Sequence, residues 1–208
     1  GTHNHEDHIG GMDDVITAYS SEVDYIMLSE EEGTTATYRS VVEAADSSSA
    51  ERLTPKAGAT YTLGDATWQI LSCDTDVSDL NESSIVIKLT YGNTSFLFTG
   101  DATMNTEQGL EMSGYDLKSD VLKVGHHGSA GSTADSFLDA VAPEIAVISV
   151  DSESDMGEMY HHPATSTLQR LSQHGIKVYR TDELGTIRIT SDGEKLAVSA
   201  FATSTDGT

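Results

Sequence analysis

The histidines of this chain are concentrated in three short segments, and this clustering constrains the fold more than any other feature. Seven of the eight histidines fall at residues 3–8, 126–127 and 161–162, and only His174 lies elsewhere. Each segment is predicted to adjoin a helix or a strand, where loops gather functional groups. Either His-His pair alone is better interpreted as a surface pair without function. Together the segments indicate distant loops that converge on a metal.

The densest segment, residues 2–8, reads T-H-N-H-E-D-H. In an extended stretch His3, His5 and Asp7 point to one side, because residues two apart share a face. His8 follows as a helix begins and adds an imidazole beside the Asp7 carboxylate. This donor set suits Zn²⁺, Mn²⁺ or iron. The single cysteine, Cys73, excludes a multi-cysteine zinc module and an internal disulfide framework.

Hydrophobic periodicity predicts alternating strands and helices in one domain of mixed α and β structure, spanning residues 1–208. Strands are predicted over residues 25–28, 60–63, 67–71, 85–91, 95–99, 121–124, 145–150, 176–179, 186–189 and 196–201. Helices are predicted over residues 9–19, 35–45, 105–112, 132–141 and 163–174. Gly92-Asn93 indicates a tight hairpin turn. In the helix predicted over residues 163–174, Pro163 is expected in the first turn, and Gly175 directly follows the last turn.

The charge balance limits the classes of partner. The chain has 34 acidic and 11 basic residues, a formal net charge of −23. This balance argues against a protein that holds nucleic acid mainly by its own positive field. No apolar run approaches the roughly 18 residues that a membrane-spanning helix needs. The acidic segment 151–158 is interpreted as a solvated loop, with a flap over the metal site as the alternative.

Several strings occur in an order that resembles the metallo-β-lactamase superfamily. The most similar branch is the C-terminal hydrolase-like domain of ComEC/Rec2 and its free-standing relatives. The strings are HNHEDHIGG (3–11), FLFTGDA (96–102), VLKVGHHGS (121–129), PEIAVISV (143–150), HHP (161–163) and VYRTDELGTIRI (178–189). The resemblance implies an α+β fold, the four-layer αββα sandwich, with metals at one edge of the sheets. It also implies an extracellular or membrane-associated context.

Carried over by residue, the resemblance implies two divalent metal ions, Zn or Mn. The implied ligands are His3 and His5 on the first ion, Asp7 and His8 on the second, Asp101 between them, His127 completing the first and His162 completing the second. The choice between His126 and His127 stays open, with His127 preferred as the ligand. The other histidine of the pair would then face the substrate.

The implied reaction is hydrolysis by a hydroxide that bridges the two ions, which lower its pKa to roughly 7. Asp7 or Asp101 would orient this hydroxide, and His126 or Ser129 would donate a hydrogen bond or a proton. A phosphodiester, with DNA as one candidate, is the expected substrate. The alternatives are hydrolysis of a small phosphoester, a thioester or a lactam at the same site, or a non-catalytic binding or regulatory role.

The chain departs from the superfamily pattern at two places. Asn81 stands where many members carry a histidine ahead of the hairpin that ends in the shared aspartate. Members also usually carry several strands before the metal string, whereas this sequence begins at Gly1. We therefore expect the usual N-terminal strands to be missing and the chain to be part of a longer natural protein.

Overall fold

The computed structural model of the protein describes residues 1–151 and 160–201. The strands are β1 (Tyr25–Met27), β2 (Glu51–Leu53), β3 (Thr60–Leu63), β4 (Ala66–Ser72), β5 (Val86–Tyr91), β6 (Thr94–Phe98), β7 (Val121–Lys123), β8 (Ile145–Ile148), β9 (Lys177–Arg180), β10 (Thr186–Ser191) and β11 (Leu196–Phe201). The helices are α1 (Glu6–Ile9), α2 (Met12–Ala18), α3 (Ala36–Ser47), α4 (Met104–Met112), α5 (Asp135–Val141), α6 (Thr165–Gln173) and α7 (Thr181–Leu184). This content confirms the predicted α+β class.

Seven strands form one mixed sheet in the order β3-β4-β5-β6-β7-β8-β9. Strands β3 to β6 pair antiparallel, and β6 to β9 pair parallel. Because parallel strands end at the same edge, the loops after β6, β7, β8 and β9 meet there. This edge receives Asp101 after β6 and the His126-His127 pair after β7.

One face of the large sheet carries the main hydrophobic core. Buried side chains of the central strands, such as Leu97 and Leu122, pack with residues of α4, α5 and α6, including Phe137 and Leu171. A second cluster joins α1, α2, α3 and β1, with Ile9 and Val41 almost fully buried. Burial of this apolar surface stabilises the fold by roughly 25 cal/mol per Å². It thereby holds in place the helices and strands that carry the histidine segments.

The opposite face of the large sheet has an apolar row that is only half-buried. The row crosses four strands through the register Tyr61–Trp68–Leu89–Phe96. Tyr61 and Trp68 stack with ring centroids 4.3 Å apart. Two strand pairs stand apart from the large sheet within the described residues, parallel β1–β2 and antiparallel β10–β11.

The structure corrects two local predictions. The helix predicted over residues 9–19 is two helices, because α1 ends at Ile9 with Gly10 as its cap and α2 begins after Gly11. Pro163 precedes α6 rather than lying in its first turn. Pro163 packs closely against Gly128, since a Cβ added to Gly128 would lie only 2.6 Å from the Pro163 Cβ. The N–H of Ala164, the next residue, donates to Gly128 O. The short elements β2 and α7 were not predicted.

Residues 152–158 of the acidic segment lie outside the described residues. Within the part of the chain that is described, no helix combines the length and the apolar character needed to cross a membrane.

Candidate metal centre

Asp101 lies at the centre of the site, on the turn that follows β6. Its residue is 2% exposed, and its N–H donates to Ser84 Oγ at 3.0 Å. The turn depends on Gly100, which has a φ of 55° and leaves no room for a Cβ, since Ser84 Oγ would lie 2.9 Å away. The strand end therefore presents the Asp101 carboxylate at the sheet edge.

Three side chains from two distant segments surround this carboxylate. His8 Nε2 lies 3.0 Å from Asp101 Oδ1, and His127 Nε2 lies 3.4 Å from Asp101 Oδ2. Asp7 Oδ2 lies 3.1 Å from His127 Nε2 and 3.7 Å from His8 Nε2. One donor atom from each of Asp7, His8, Asp101 and His127 falls within 4.8 Å of all the others. We call these four residues the carboxylate half of the site.

His127 is held in place from the side opposite Asp101. Its Nδ1–H donates to the carbonyl of Ser149, after β8, at 2.6 Å. This bond sets the tautomer and leaves Nε2 directed at the carboxylates, as in metal-binding histidines whose second nitrogen is hydrogen-bonded. His126 and His127 both have positive φ, 47° and 53°, so the chain turns sharply here and the two rings point in different directions.

His3 and His5 form the other side of the site, which we call the imidazole half. Nε2 of the fully buried His3 lies 3.1 Å from Nδ1 of His5. His3 Nδ1 contacts Thr2 Oγ1 at 3.3 Å and Ser84 Oγ at 3.4 Å. The His3 and His8 rings lie 4.1 Å apart, so the two halves are adjacent.

His126 and His162 line the cavity beside these two groups. His126 Nε2 lies 3.9 Å from Asp101 Oδ2. The His126 and His162 rings are 5.5 Å apart between centroids, and His162 is outside the four-residue carboxylate half. His127 therefore joins Asp7 and His8, whereas we expected it to join His3 and His5. Ser129 turns away, with its Oγ accepting the Gly131 N–H at 3.2 Å.

The surroundings set the charge of each group. Burial and the neighbouring His8 lower the pKa of His3 to about 3, and burial lowers the pKa values of His126 and His162. Burial alone would lower the pKa of His127, but Asp101 and Asp7 raise it to about 9. His127 in turn lowers the pKa of Asp7 to about 2. Burial would raise the pKa of Asp101, yet His127 and His8 keep it well below its usual range.

The hydrogen bonding and the protonation states of the side chains in the site fit a divalent metal ion. His162 lines the same cavity as Asp101, and its buried Nδ1 has no hydrogen-bond partner among residues 1–151 and 160–201. Buried polar atoms without partners are costly and call for an explanation, such as an ion. The His3 imidazole is neutral and the Asp7 and Asp101 carboxylates are ionised, as metal binding requires, whereas His127 gives up its second proton when an ion binds.

Lys123, at the end of β7, ties together the two loops that carry Asp101 and His127. Its ammonium donates to Gly100 O at 3.2 Å and to Val124 O at 2.8 Å. The loop after His127 is held further by Ser132 Oγ, which donates to Gly125 O at 2.8 Å. These hydrogen bonds fix the loops that carry the candidate ligands Asp101 and His127.

The site opens into a cavity of about 920 Å³. Asp101, His126, His127 and His162 lie on its wall with His5 and Asp7, and Ser149 and Thr181 come from the ends of β8 and β9. Glu6, Asn81, Val150, Asp151 and the exposed Tyr160 complete the lining. The cavity leaves the candidate ligands accessible to a substrate.

A profile of the metallo-β-lactamase superfamily matches residues 2–152 of the sequence. The chain belongs to the metallo-β-lactamase superfamily. The superfamily has a metal-dependent hydrolase-type fold with dinuclear sites for divalent metals. The predicted family is therefore confirmed.

Curated relatives confirm the predicted ComEC/Rec2 branch. ComE operon protein 3 of Bacillus subtilis is 39% identical over 134 residues, which is 64% of this chain and 17% of that protein. Competence protein ComA of Neisseria gonorrhoeae is 40% identical over 111 residues, 53% of this chain and 16% of that protein. Recombination protein 2 of Haemophilus influenzae is 34% identical over 137 residues, 65% of this chain and 17% of that protein. The chain thus matches a small share of each relative's length.

Solved structures confirm the predicted metallo-β-lactamase fold. CmlA, a diiron β-hydroxylase from Streptomyces venezuelae, superposes with a TM-score of 0.55 at 17% identity, over 86% of this chain and 42% of that one. The metallo-β-lactamase fold protein YhfI from Bacillus subtilis gives a TM-score of 0.53 at 11% identity, over 95% of this chain and 76% of that one. At these identities the likeness concerns the fold.

Two supporting residues were missed by sequence reasoning. Lys123 and Ser149 act through backbone hydrogen bonds, and neither lies in a cluster of metal-binding residue types. Their places in the strings VLKVGHHGS and PEIAVISV, at the carboxyl ends of parallel strands, were the available signal.

Proposed function

We propose that the protein is a dinuclear metal-dependent phosphodiesterase, with Zn²⁺ or Mn²⁺ as the metal. The observation that carries this proposal is the position of Asp101. Its buried carboxylate belongs to the carboxylate half, and its turn is bonded to Ser84, which also contacts His3 of the imidazole half. A carboxylate so placed suits sharing between two ions.

Two bound cations would supply a water of lowered pKa and positive charge that stabilises the phosphoryl oxygens. Asp7, whose side chain is 60% exposed, faces the cavity and accepts a proton or a hydrogen bond from the attacking water. His126 donates its ring N–H to a non-bridging phosphoryl oxygen or to the leaving group. His3, His5, His8, His127 and His162 hold the ions.

DNA is the first candidate substrate, and the relatives support it. Two are named competence or recombination proteins, and those processes concern DNA. The net charge of −23 opposes a polyanion. Two bound ions bring about four positive charges to the site, and local charge dominates within a Debye length of about 8 Å.

A small phosphodiester is the second candidate, and the cavity lining favours it. Glu6 and Asp151 add carboxylates to the wall near Asp7. These groups repel a long phosphate backbone more than they repel a single diester, because the repulsion grows with the number of phosphates.

The test compares wild type with Asp101→Asn, each stripped of metal and reloaded with Zn²⁺ or Mn²⁺. Substrates are bis(p-nitrophenyl) phosphate, end-labelled single-stranded and double-stranded DNA, a chromogenic thioester and a chromogenic lactam. We expect the loaded wild type to cleave phosphodiesters and Asp101→Asn to be inactive. Cleavage of the thioester or lactam alone, or of none of these, would contradict the proposed reaction.

Salt dependence separates the two substrate candidates. Affinity for DNA falls steeply with salt when several phosphates are contacted, whereas affinity for a single diester changes little. We therefore expect a steep salt dependence of KM for DNA if the polymer is the natural class of substrate.

A further inference from the structure

Asn81 has a buried side-chain oxygen that forms no hydrogen bond within the described parts of the chain, residues 1–151 and 160–201. The residue is 8% exposed and lines the same cavity as His5, Asp101 and His126. Its Oδ1 is buried and accepts no hydrogen bond from any residue that the structure describes. A buried amide oxygen without a donor destabilises the fold, so it calls for a partner beyond the described residues, and a bound ion is one that the cavity can supply.

The backbone around Asn81 is fixed, so the unmet oxygen is not relieved by a small rearrangement of the turn. Asn81 lies in the 3₁₀ turn Leu80–Ser83, and its N–H donates to Asp79 Oδ1 at 3.0 Å. Ser83 Oγ closes the turn by donating to Leu80 O at 2.7 Å. The turn thereby holds the Asn81 side chain against the cavity.

The same turn leads directly into the metal site. Ser84 Oγ accepts the Asp101 N–H at 3.0 Å and lies 3.4 Å from His3 Nδ1. Asn81, three residues before Ser84, lines the cavity together with Asp101 of the shared carboxylate and His5 of the imidazole half.

The imidazole half is short of donors compared with the carboxylate half. His3 Nε2 and His5 Nδ1 give two nitrogen donors, and Asp101 gives a shared oxygen. With the attacking water these make four donors, which suffices for Zn²⁺, whereas Mn²⁺ favours six-coordinate, oxygen-rich sites and has room for another oxygen. An amide carbonyl oxygen is neutral and hard, and such oxygens suit Mn²⁺ better than they suit Zn²⁺.

We propose that the Asn81 side-chain oxygen is a ligand of the ion held by His3 and His5, and that it biases this position toward Mn²⁺ over Zn²⁺. The inference rests on the dinuclear site of the proposed function. An oxygen donor in place of a third imidazole lowers the affinity for Zn²⁺ more than the affinity for Mn²⁺, because Zn²⁺ gains more from nitrogen ligands.

The test measures metal binding rather than turnover. Wild type, Asn81→Ala, Asn81→Asp and Asn81→His are titrated with Mn²⁺, followed by electron paramagnetic resonance of the free ion, and then with Zn²⁺ in competition. Asn93→Ala, on the exposed β5–β6 turn, is the matched control. Circular dichroism and the melting temperature of the metal-free proteins verify folding.

We expect Asn81→Ala to weaken one of the two Mn²⁺ ions by at least about tenfold and to leave the other unchanged. Asn81→Asp keeps an oxygen and retains both Mn²⁺ ions. Asn81→His shifts the competition toward Zn²⁺ by at least about tenfold. Asn93→Ala matches wild type.

Equal Mn²⁺ binding by wild type and a folded Asn81→Ala would overturn the inference. If KM for a phosphodiester rises while Mn²⁺ binding stays equal, the inference is likewise overturned, because Asn81 then contacts the substrate and not the ion. An unchanged Zn²⁺/Mn²⁺ ratio in Asn81→His would overturn the selectivity claim. If wild type binds two ions and cleaves no phosphodiester, the proposed function fails while the Asn81 result stands. Failure of wild type to bind ions would overturn both.

Discussion

The two halves of the metal site differ in the charge and origin of their donors. The carboxylate half brings two carboxylates and two imidazoles from three separate segments of the chain, whereas His3 and His5 come from a single segment. In the ion-free protein His127, with its pKa raised to about 9 by Asp101 and Asp7, compensates the negative charge. In the imidazole half, His3 is neutral at pH 7, because its pKa is about 3. Because the imidazole half has no carboxylate of its own, we expect a second ion there to depend on Asp101.

Replacement of Asp101 by Asn tests this comparison with the largest expected effect. The substitution keeps the size of the side chain and removes its charge, so both halves lose their shared donor. We expect phosphodiesterase activity to fall by more than the roughly 100-fold typical of residues that only support ligands, and metal content to fall below one ion per chain. Elemental analysis and initial rates measure both. Retention of two ions would show that Asp101 does not join the halves.

The neighbours His127 and His126 provide a matched pair for the next prediction. His127→Gln removes a donor from the carboxylate half, and we expect one ion to be lost together with activity. His126→Gln leaves both ions in place and lowers kcat by about 100-fold, the lower range for proton-transfer groups. Metal stoichiometry and kcat separate the two roles. The reverse pattern would exchange the assignments.

Lys123 tests whether the scaffold supports both halves. Lys123→Met removes the donor that Gly100 O and Val124 O share, so the two loops keep only the weaker link from His126 N–H to Gly100 O at 3.3 Å. We expect metal affinity to weaken by about 10-fold, the lower range for supporting residues. Lys118→Met, on an exposed loop, is the control. Equal affinities in a metal titration of the two variants would argue against a positioning role.

Glu107 supplies the smallest effect, a pH dependence outside the metal ligands. Its buried carboxylate accepts from Thr133 and Ala134 N–H and caps the loop after His127. Burial raises its pKa from 4.5 to about 7, against the opposing N–H donors and Arg170. The folded state therefore binds this proton more tightly, and its contribution to stability is complete below pH 4.5 and is lost as pH rises to about 7.

We expect the unfolding free energy of wild type to fall across this window by on the order of 3 kcal/mol from this group. Glu107→Gln removes this part of the slope, whereas Glu111→Gln, one turn further along α4, retains it. Urea unfolding at several pH values measures the slopes. Equal slopes in wild type and Glu107→Gln would contradict the assignment.

Much of the fold was predictable because local patterns agree with the tertiary structure. The alternation in β4, β5 and β6 and the Gly92-Asn93 turn predicted an antiparallel hairpin that the structure confirms. The helix over residues 9–19 failed because Gly10 and Gly11 allow the chain to turn. Pro163 failed because it packs on Gly128 rather than continuing the helix. The assignment of residues 1–208 to one domain stays a prediction.

The candidate site was predictable in composition and less so in arrangement. Residue types and order identified the members, since few other patterns bring His and Asp to strand ends. The grouping of His127 with Asp7 and His8 depends on the left-handed backbone at His126 and His127, which sequence spacing does not reveal. The ligand roles themselves remain predictions.

Anomalous diffraction from crystals of the Mn²⁺-loaded protein is the most direct test of the central claim. The account predicts two peaks on either side of the Asp101 carboxylate, one contacted by Asp7, His8 and His127 and the other by His3 and His5. A single peak, or two peaks with neither in contact with Asp101, would contradict it.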